Sequence, residues 1–141
     1  MFALILGAAL QSAFVSVPAA QAMLADLNAT RVHAGLPALA FDSRLSEIAA
    51  EHGLDMAQHR YFDHDSPDGR TPFDRMREAS APFSYAGENI ALAPDESVAY
   101  RALLASPPHL QNILQAHFAR VGIAAVRRPD GEMLFVQDFT D

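Results

Sequence analysis

The complete absence of cysteine is the feature that most limits what this chain can fold into. It excludes disulfide frameworks, thiolate zinc sites, iron–sulfur clusters and cysteine nucleophiles, so a hydrophobic core must hold the fold alone. The chain has 141 residues and is 50% hydrophobic, which suits one such domain and is too short for two ordinary ones. Any bound metal must be held by His, Asp or Glu.

The charge balance argues against two classes of partner. The chain carries 17 acidic and 10 basic residues, a net charge of -7. Nucleic-acid binding depends on a basic surface that displaces phosphate counterions, so we expect no nucleic-acid partner. An anionic membrane surface is a poor partner for the same reason.

The N-terminus is apolar, and no charged side chain precedes residue 26. The apolar runs at residues 2–10 and 14–17 are too short and mixed for a stable membrane span, which needs about 20 predominantly apolar residues. Their length suits a secretory signal, and residues 20–22 offer the small side chains of a cleavage site. However, the short basic segment that usually precedes the apolar region of a signal is missing after Met1.

We therefore predict that residues 1–22 are a signal peptide, with a buried N-terminal apolar helix as the alternative. Residues 23–141 are predicted to form one domain of an extracellular or periplasmic protein.

Periodicity and turn residues predict the elements of that domain. The predicted helices cover residues 21–34, 42 or 43 to 59, a short segment from Pro72, 96–105 and a segment that opens at Pro107 and Pro108. The predicted strands cover residues 83–92, 118–127 and 132–139, the last two forming a hairpin around Gly131. Helices first and a sheet last predict an α+β fold with helices on an antiparallel sheet.

Three residues are candidates for chemistry. His64 lies in a polar loop, Glu88 in an apolar strand and His109 at a helix start. Two histidines and a glutamate form a known zinc ligand set, but no HExxH-type spacing is present, so only the fold can bring these three together. Burying Glu88 without partners would be costly. A catalytic or ligating role and a role in bracing loops by hydrogen bonds both remain open.

The other histidines favour structural roles. His52 and His59 share the apolar face of the second predicted helix, where histidines are more often hydrogen-bonded core or cleft-edge residues than ligands. His33 and His117 have the neighbours of surface residues.

Two further motifs are incomplete. Asp63, Asp65 and Asp68 have the wrong spacing for a calcium loop, so turns stabilised by Asx hydrogen bonds are the better interpretation. The serines that could act as nucleophiles lie outside any G-x-S-x-G elbow, and they are Ser66, Ser84 and Ser106. Ser106 is instead predicted to cap the helix that carries His109.

Four short motifs, taken in order, resemble a CAP-superfamily (SCP-like) domain. They are Leu-Asn-Ala-Thr-Arg at 27–31, Phe-Asp-His-Asp-Ser-Pro-Asp-Gly at 62–69, Gly-Glu-Asn-Ile-Ala at 87–91, and Ser-Pro-Pro-His-Leu-Gln-Asn-Ile-Leu at 106–114. That superfamily holds cysteine-rich secretory proteins, antigen 5 and plant pathogenesis-related proteins, and this chain resembles its cysteine-free bacterial branch. The resemblance covers residues 23–139 and implies an α–β–α sandwich, with an antiparallel sheet flanked by helices.

The resemblance also implies a cleft lined by two histidines and two acids, which in some members binds a divalent metal, usually zinc. By motif, His64, Glu88 and His109 are three of these four groups. The second acid has no counterpart, since residues 101–106 hold neither the tryptophan nor the carboxylate that other members carry there.

Two functions from different classes follow from the resemblance. The first, which we favour, is an exported binding module whose cleft binds a divalent metal and a small apolar or cell-surface ligand. The second is a zinc-dependent hydrolase, with His64 and His109 as metal ligands and Glu88 as the base that activates bound water. A third interpretation is a purely structural hub formed by Glu88 and the histidines.

Overall fold

The structure, a computed structural model, describes residues 12–141. Its elements follow in the order β1 (Phe14–Val15), α1 (Val17–His33), β2 (Ala40–Phe41), α2 (Ser43–His59), α3 (Pro72–Glu78), β3 (Ala86–Ala93), α4 (Glu96–Ala105), α5 (Pro107–Ile113), β4 (Arg120–Arg127) and β5 (Met133–Thr140).

A five-stranded sheet separates two helical layers. The strand order is β1-β4-β5-β3, and every pairing along this path is antiparallel. β2 adds a short parallel pairing with the start of β4. The predicted α–β–α sandwich is therefore confirmed, with one parallel strand of two residues that the sequence pattern did not reveal.

Alternate residues of each central strand face opposite layers, as the two-residue period of a strand requires. On β5, Leu134 and Val136 share a core cluster with Ala49 and Met56 of α2. The intervening positions face the layer of α1, α4 and α5; on β5 these are Met133, Phe135 and Phe139. This alternation decides which layer each polar residue of the strands faces.

α2 lies directly on the sheet because β4 carries a glycine beneath it. A Cβ on Gly122 would come within 2.1 Å of the Leu45 backbone. Asp42 caps α2 through a bond from the Leu45 N–H to its carboxylate, 2.9 Å long. The predicted bounds of α2 are confirmed.

The first motif that carried the resemblance has a structural explanation. Arg31 is buried and donates to the carbonyl oxygens of Pro37, Ile113 and Gln115, which ties α1 to the end of α5. The amide of Asn28 exchanges two hydrogen bonds with the backbone of Leu39. Both side chains fix segments that are remote in sequence, so the position of α5 depends on α1.

α1 begins at Val17, four residues before the predicted start, because β1 already belongs to the sheet. The Ser16 N–H donates to the Ala125 carbonyl oxygen over 2.8 Å, and the helix runs through residues 20–22. The apolar run at residues 2–10 lies outside the described residues, and signal cleavage stays a prediction. Among residues 12–141, no helix is long and apolar enough to cross a membrane.

The C-terminal hairpin is confirmed, with Gly131 at a φ of +89° in its turn. The strand predicted over residues 83–92 begins later, at Ala86. Its displacement has a local cause, because the backbone N–H groups of Ser84 and Tyr85 donate to the Asp141 carboxylate instead of to a strand.

Candidate functional site

Glu88 is the centre of a charged cluster beneath α2 and α3. Its side chain is 1% exposed, although it lies on the edge strand β3. One carboxylate oxygen is 2.8 Å from Nδ1 of His64, and the other is 2.8 Å from Nη2 of Arg75. Both oxygens are therefore engaged by side chains of the protein itself.

Arg75 on α3 joins this acid to the histidine loop. Besides Glu88, its guanidinium donates to the His64 carbonyl oxygen over 2.9 Å and to Ser66 Oγ over 3.2 Å. Sequence reasoning missed Arg75. The signal was indirect: a carboxylate in an apolar strand requires a cation, but nothing in the spacing of the 10 arginines marks this one.

A second buried acid lies beside Glu88. Asp138 of β5 is directly opposite Glu88 in the antiparallel register and is fully buried. No hydrogen-bond donor of the described residues reaches either of its carboxylate oxygens. Burial, followed by the adjacent charge of Glu88, raises the pKa of Asp138 well above its ordinary value. Sequence reasoning missed this residue because it lies 50 positions from Glu88 and outside every motif.

His64 connects the cluster to solvent. Its side chain is 47% exposed, and the hydrogen bond to Glu88 raises its pKa. Because Nδ1 faces Glu88, Nε2 is the ring nitrogen left for an external partner. His64 lines a cleft of about 360 Å³ whose walls include Asp65, Thr71, Phe73, Glu88 and Asn112.

His109 belongs to the other side of the sheet edge and does not line that cleft. Its Nδ1 is 2.7 Å from Ser106 Oγ, and its carbonyl oxygen accepts from the Asn89 amide. Burial and, secondarily, the charge on His64 lower its pKa. The two histidines are therefore near enough to interact electrostatically but have separate partners.

Neutral amides fill this opposite face. Asn89 donates to Gln137 Oε1 over 3.0 Å, and Asn112 donates to both Asn89 Oδ1 and the Glu88 carbonyl oxygen. The Glu-Asn pair of the third motif thus has one residue on each face of β3. Glu88 faces the charged cluster and Asn89 faces the amides.

The residues present do not fit a zinc centre. Among residues 12–141, no group of three or more His, Cys, Asp or Glu side chains is arranged to hold a metal ion. Glu88 is already bound to Arg75, and a guanidinium beside the site opposes a second cation. A zinc site needs at least three protein ligands, and the histidines of this region, His64 and His109, would supply two. Metal binding stays a prediction of the resemblance.

The other histidines have the environments expected of structural residues. His52 is buried, and its Nε2 lies 2.9 Å from the Asp63 carbonyl oxygen, as predicted for a hydrogen-bonded core residue. His59 is instead largely exposed and pairs with Asp55, so its predicted place on the buried face is wrong. His33 and His117 are exposed, as predicted.

The acidic loop forms Asx turns rather than a calcium site. The Asp63 carboxylate accepts from the Asp65 N–H, and the Asp68 carboxylate accepts from the Arg70 N–H. These bonds confirm the predicted turns.

The candidate serine nucleophiles have structural partners. Ser66 accepts from Arg75, and Ser84 contributes its backbone N–H to the Asp141 carboxylate. Ser106 occupies the N-cap position of α5 as predicted, but its hydroxyl bonds to His109 and makes no capping bond.

A second concave surface is apolar and lies at the opposite sheet edge. This apolar groove has a volume of about 390 Å³ and opens between β1 and β2 beside β4. Its apolar walls include Val15, Val17, Ala20, Leu24, Phe41 and Ile123. Val17 and Phe41 are 59% and 60% exposed, so these apolar walls of the groove are open to solvent.

Comparison with known proteins supports the resemblance. The family model described as "CAP: Cysteine-rich secretory protein family" matches residues 24–139. The chain is 39% identical over 119 residues to the uncharacterized protein YkwD of Bacillus subtilis (strain 168), a match covering 82% of this chain and 46% of that protein. A 33% identical match to the uncharacterized membrane protein YlbC of the same organism covers 72% of this chain and 30% of that protein. The chain thus spans less than half the length of these relatives.

Solved structures agree with the fold. An extracellular protein containing an SCP domain from Bacillus anthracis is 32% identical with a TM-score of 0.79, covering 87% of this chain and 40% of that one. An outer surface protein of Borrelia burgdorferi is 20% identical with a TM-score of 0.84, covering 90% of this chain and 95% of that one. The second likeness concerns the fold alone.

Proposed function

Because the chain belongs to the CAP, or cysteine-rich secretory protein, family, we propose that it is an exported binding module and not a zinc-dependent hydrolase. The observation that carries this proposal is the engagement of both Glu88 oxygens by His64 and Arg75. A general base needs a lone pair within hydrogen-bond reach of its proton donor. The Glu88 side chain is 1% exposed, so a water in the cleft has almost no access to its carboxylate.

The cleft suits a polar cell-surface ligand. It combines the half-exposed imidazole of His64, the carboxylate of Asp65 and the partly exposed ring of Phe73. An aromatic surface with a few convergent polar groups is the usual composition of a small-ligand site. A glycan of the cell wall presents matching hydroxyl groups and apolar ring faces.

Co-sedimentation with purified cell-wall glycan tests this proposal. The wild type is expected to sediment with the glycan, and Phe73→Ala is expected to lose at least several-fold in affinity. Tyr85→Ala is the matched control, because Tyr85 is an exposed aromatic residue stacked on His117 outside the cleft. Equal binding by all three proteins, or by none, would contradict the assignment of the cleft.

The shape and composition of the apolar groove favour a second candidate ligand, a small apolar molecule. Its volume and apolar walls suit part of an acyl chain, and cis-parinaric acid is a fluorescent probe of that class. Ala20→Trp would fill the groove and is expected to abolish binding of the probe. Ala25→Trp, on the exposed side of the same helix, is the control. Binding that survives Ala20→Trp would exclude the groove.

Whether the mature protein has the apolar groove depends on signal cleavage. Cleavage after residue 22 would remove Val15, Val17 and Ala20 from the groove walls. Mass spectrometry of the exported protein therefore selects between the two ligands. A chain beginning at Met23 favours the cleft, and a chain that retains residues 15–22 keeps both surfaces.

The hydrolase alternative has its own test. Ester and peptide substrate panels are expected to show no turnover with the wild type, with or without zinc. Turnover that requires zinc and disappears in Glu88→Gln, while zinc binding persists, would replace the binding proposal by the hydrolase.

A further inference from the structure

We propose that Asp138 retains its proton at neutral pH and donates a hydrogen bond to Glu88, which makes Asp138 the positioning residue of the Glu88–His64 pair. This inference concerns the ligand-free protein, so its test does not depend on which ligand the cleft binds.

The strand register places the two carboxyl groups together. Asp138 lies opposite both Glu88 of β3 and Gly122 of β4, so the three residues form one row on the face beneath α2. Directly opposite residues of an antiparallel pair have Cβ atoms roughly 4.5–5.5 Å apart. Short acidic side chains at this separation are within hydrogen-bond reach of each other.

Two side-chain donors of the described residues bond to Glu88 and none bonds to Asp138; Arg75 Nε is also buried but bonds to neither acid. Glu88 accepts from His64 and from Arg75, one bond to each oxygen. Asp138 accepts from no group of the described chain, and it has no access to solvent. A buried carboxylate without a donor is strongly unfavourable, whereas a protonated carboxyl supplies its own donor. The hydrogen that completes the pair is therefore the carboxyl proton of Asp138.

The surrounding charges leave that proton in place. α3 presents Arg75, which is bound to Glu88; the loop before α3 presents His64, also bound to Glu88. α2 presents His52, whose pKa is lowered by burial, and β4 presents the uncharged Gly122. Arg75 is thus the buried cation that faces the two acids, while His64 is half-exposed, and a single shared negative charge balances the buried cation.

The consequence is a fixed orientation for Glu88. With bonds from His64, Arg75 and Asp138, its carboxylate is held from three directions, and the imidazole of His64 is held in turn. Asp138 itself touches neither the cleft nor the solvent. Its effect on the cleft therefore passes through Glu88.

Infrared spectroscopy of protein labelled with ¹³C at the aspartate carboxyl groups tests the proposal. At neutral pH the wild type is expected to show the carbonyl stretch of one protonated aspartic acid, and Asp138→Asn is expected to lack it. Asp130→Asn, a change in the exposed hairpin turn, is the matched control and should keep the band. A wild type without this band at neutral pH would overturn the proposal, whatever the variants do.

The free energy of unfolding, measured as a function of pH, is a second test. A residue that only fills space would not change this pH dependence. An asparagine can donate to Glu88 without titrating, so Asp138→Asn mimics the protonated acid. Above the ordinary pKa of 3.8 the native wild type keeps a proton that the unfolded chain has lost. As pH rises, the equilibrium constant for folding of the wild type should therefore fall relative to that of Asp138→Asn by up to tenfold per pH unit, until Asp138 itself ionises.

Asp138→Leu completes the comparison, because leucine fills the space without donating a hydrogen bond. Rescue by asparagine but not by leucine is the expected result. Parallel pH profiles for the wild type and Asp138→Asn, or an asparagine variant no more stable than the leucine variant, would overturn the proposal.

Discussion

The two faces of β3 and β5 both bury polar side chains, but they hold them by different chemistry. On one face, Glu88 and Asp138 meet beneath α2; one position along each strand, Asn89 and Gln137 meet on the opposite face. The amides carry both donors and acceptors, and they bond to each other over 3.0 Å with no net charge. Carboxylates only accept until one is protonated. The charged face therefore depends on Arg75 and on protons, whereas the amide face does not.

Removing the cation of the charged face should have the largest effect. Arg75→Ala leaves Glu88 buried without its partner, and breaking a buried ion pair in this way costs about 3–5 kcal/mol in the free energy of unfolding. Urea denaturation measures the loss. The control is Arg70→Ala, which removes an arginine paired with exposed carboxylates and should cost far less. Equal losses would show that burial of Glu88 does not require Arg75.

Breaking the amide face should have a smaller effect. Asn89→Ala removes bonds to Gln137 and to the His109 carbonyl oxygen, leaving buried polar groups unpaired at a cost of about 1–3 kcal/mol. The loss should be the same at every pH where the protein is folded, because no group in this network titrates. A loss that varies with pH would link the two faces energetically and contradict their separation.

The bond between Ser106 and His109 should contribute less again. Because Ser106 makes no capping bond, Ser106→Ala removes one partly exposed hydrogen bond, worth about 0.5–1.5 kcal/mol. The helical circular dichroism signal should be unchanged. Melting of α5, read from hydrogen exchange of its backbone amides, would reveal a capping role after all.

The smallest expected effect is a difference in pKa between His64 and His109. The bond to Glu88 raises the pKa of His64 above its ordinary 6.5, whereas burial lowers the pKa of His109. The stability that His64 contributes is therefore fully present below pH 6.5 and is lost as pH rises through its folded pKa.

Imidazole NMR titrations check the order in which the two rings lose their protons. His109 should titrate at the lower pH, and Glu88→Gln should bring His64 back towards its ordinary value. The stability difference between the wild type and His64→Gln should shrink as pH rises. A His64 that titrates below His109 would contradict the account.

The sequence predicted most of the fold because local signals agreed with it. Asp42 caps α2 as expected, and Pro72 opens α3 with a capping box of Thr71 and Asp74. The start of α1 was not predictable from helical periodicity, since pairing of β1 with β4 decides it. His59 was misplaced because helical spacing alone does not show where a packed face ends.

The candidate site was predicted only as far as its motifs extend. His64 and Glu88 meet as the resemblance implies, but His109 lies across the strand edge. Arg75 and Asp138 were missed for one shared reason: tertiary contacts between α3, β3 and β5 bring them to Glu88. An acid placed in an apolar strand signals that partners must exist, and it does not say which residues they are.

Thermal unfolding at neutral pH, with and without zinc, tests most directly whether the Glu88 cluster is complete without a metal. The account predicts that zinc leaves the midpoint of the wild type unchanged and also leaves the midpoint of the His64→Ala/His109→Ala variant unchanged. A metal that binds the native state and is present at about 100 times its dissociation constant would add about 2.7 kcal/mol to the free energy of unfolding. For a domain of this size, the midpoint would then rise by on the order of 10 °C. Such a rise in the wild type, absent from the double variant, would contradict the account and restore the metal site.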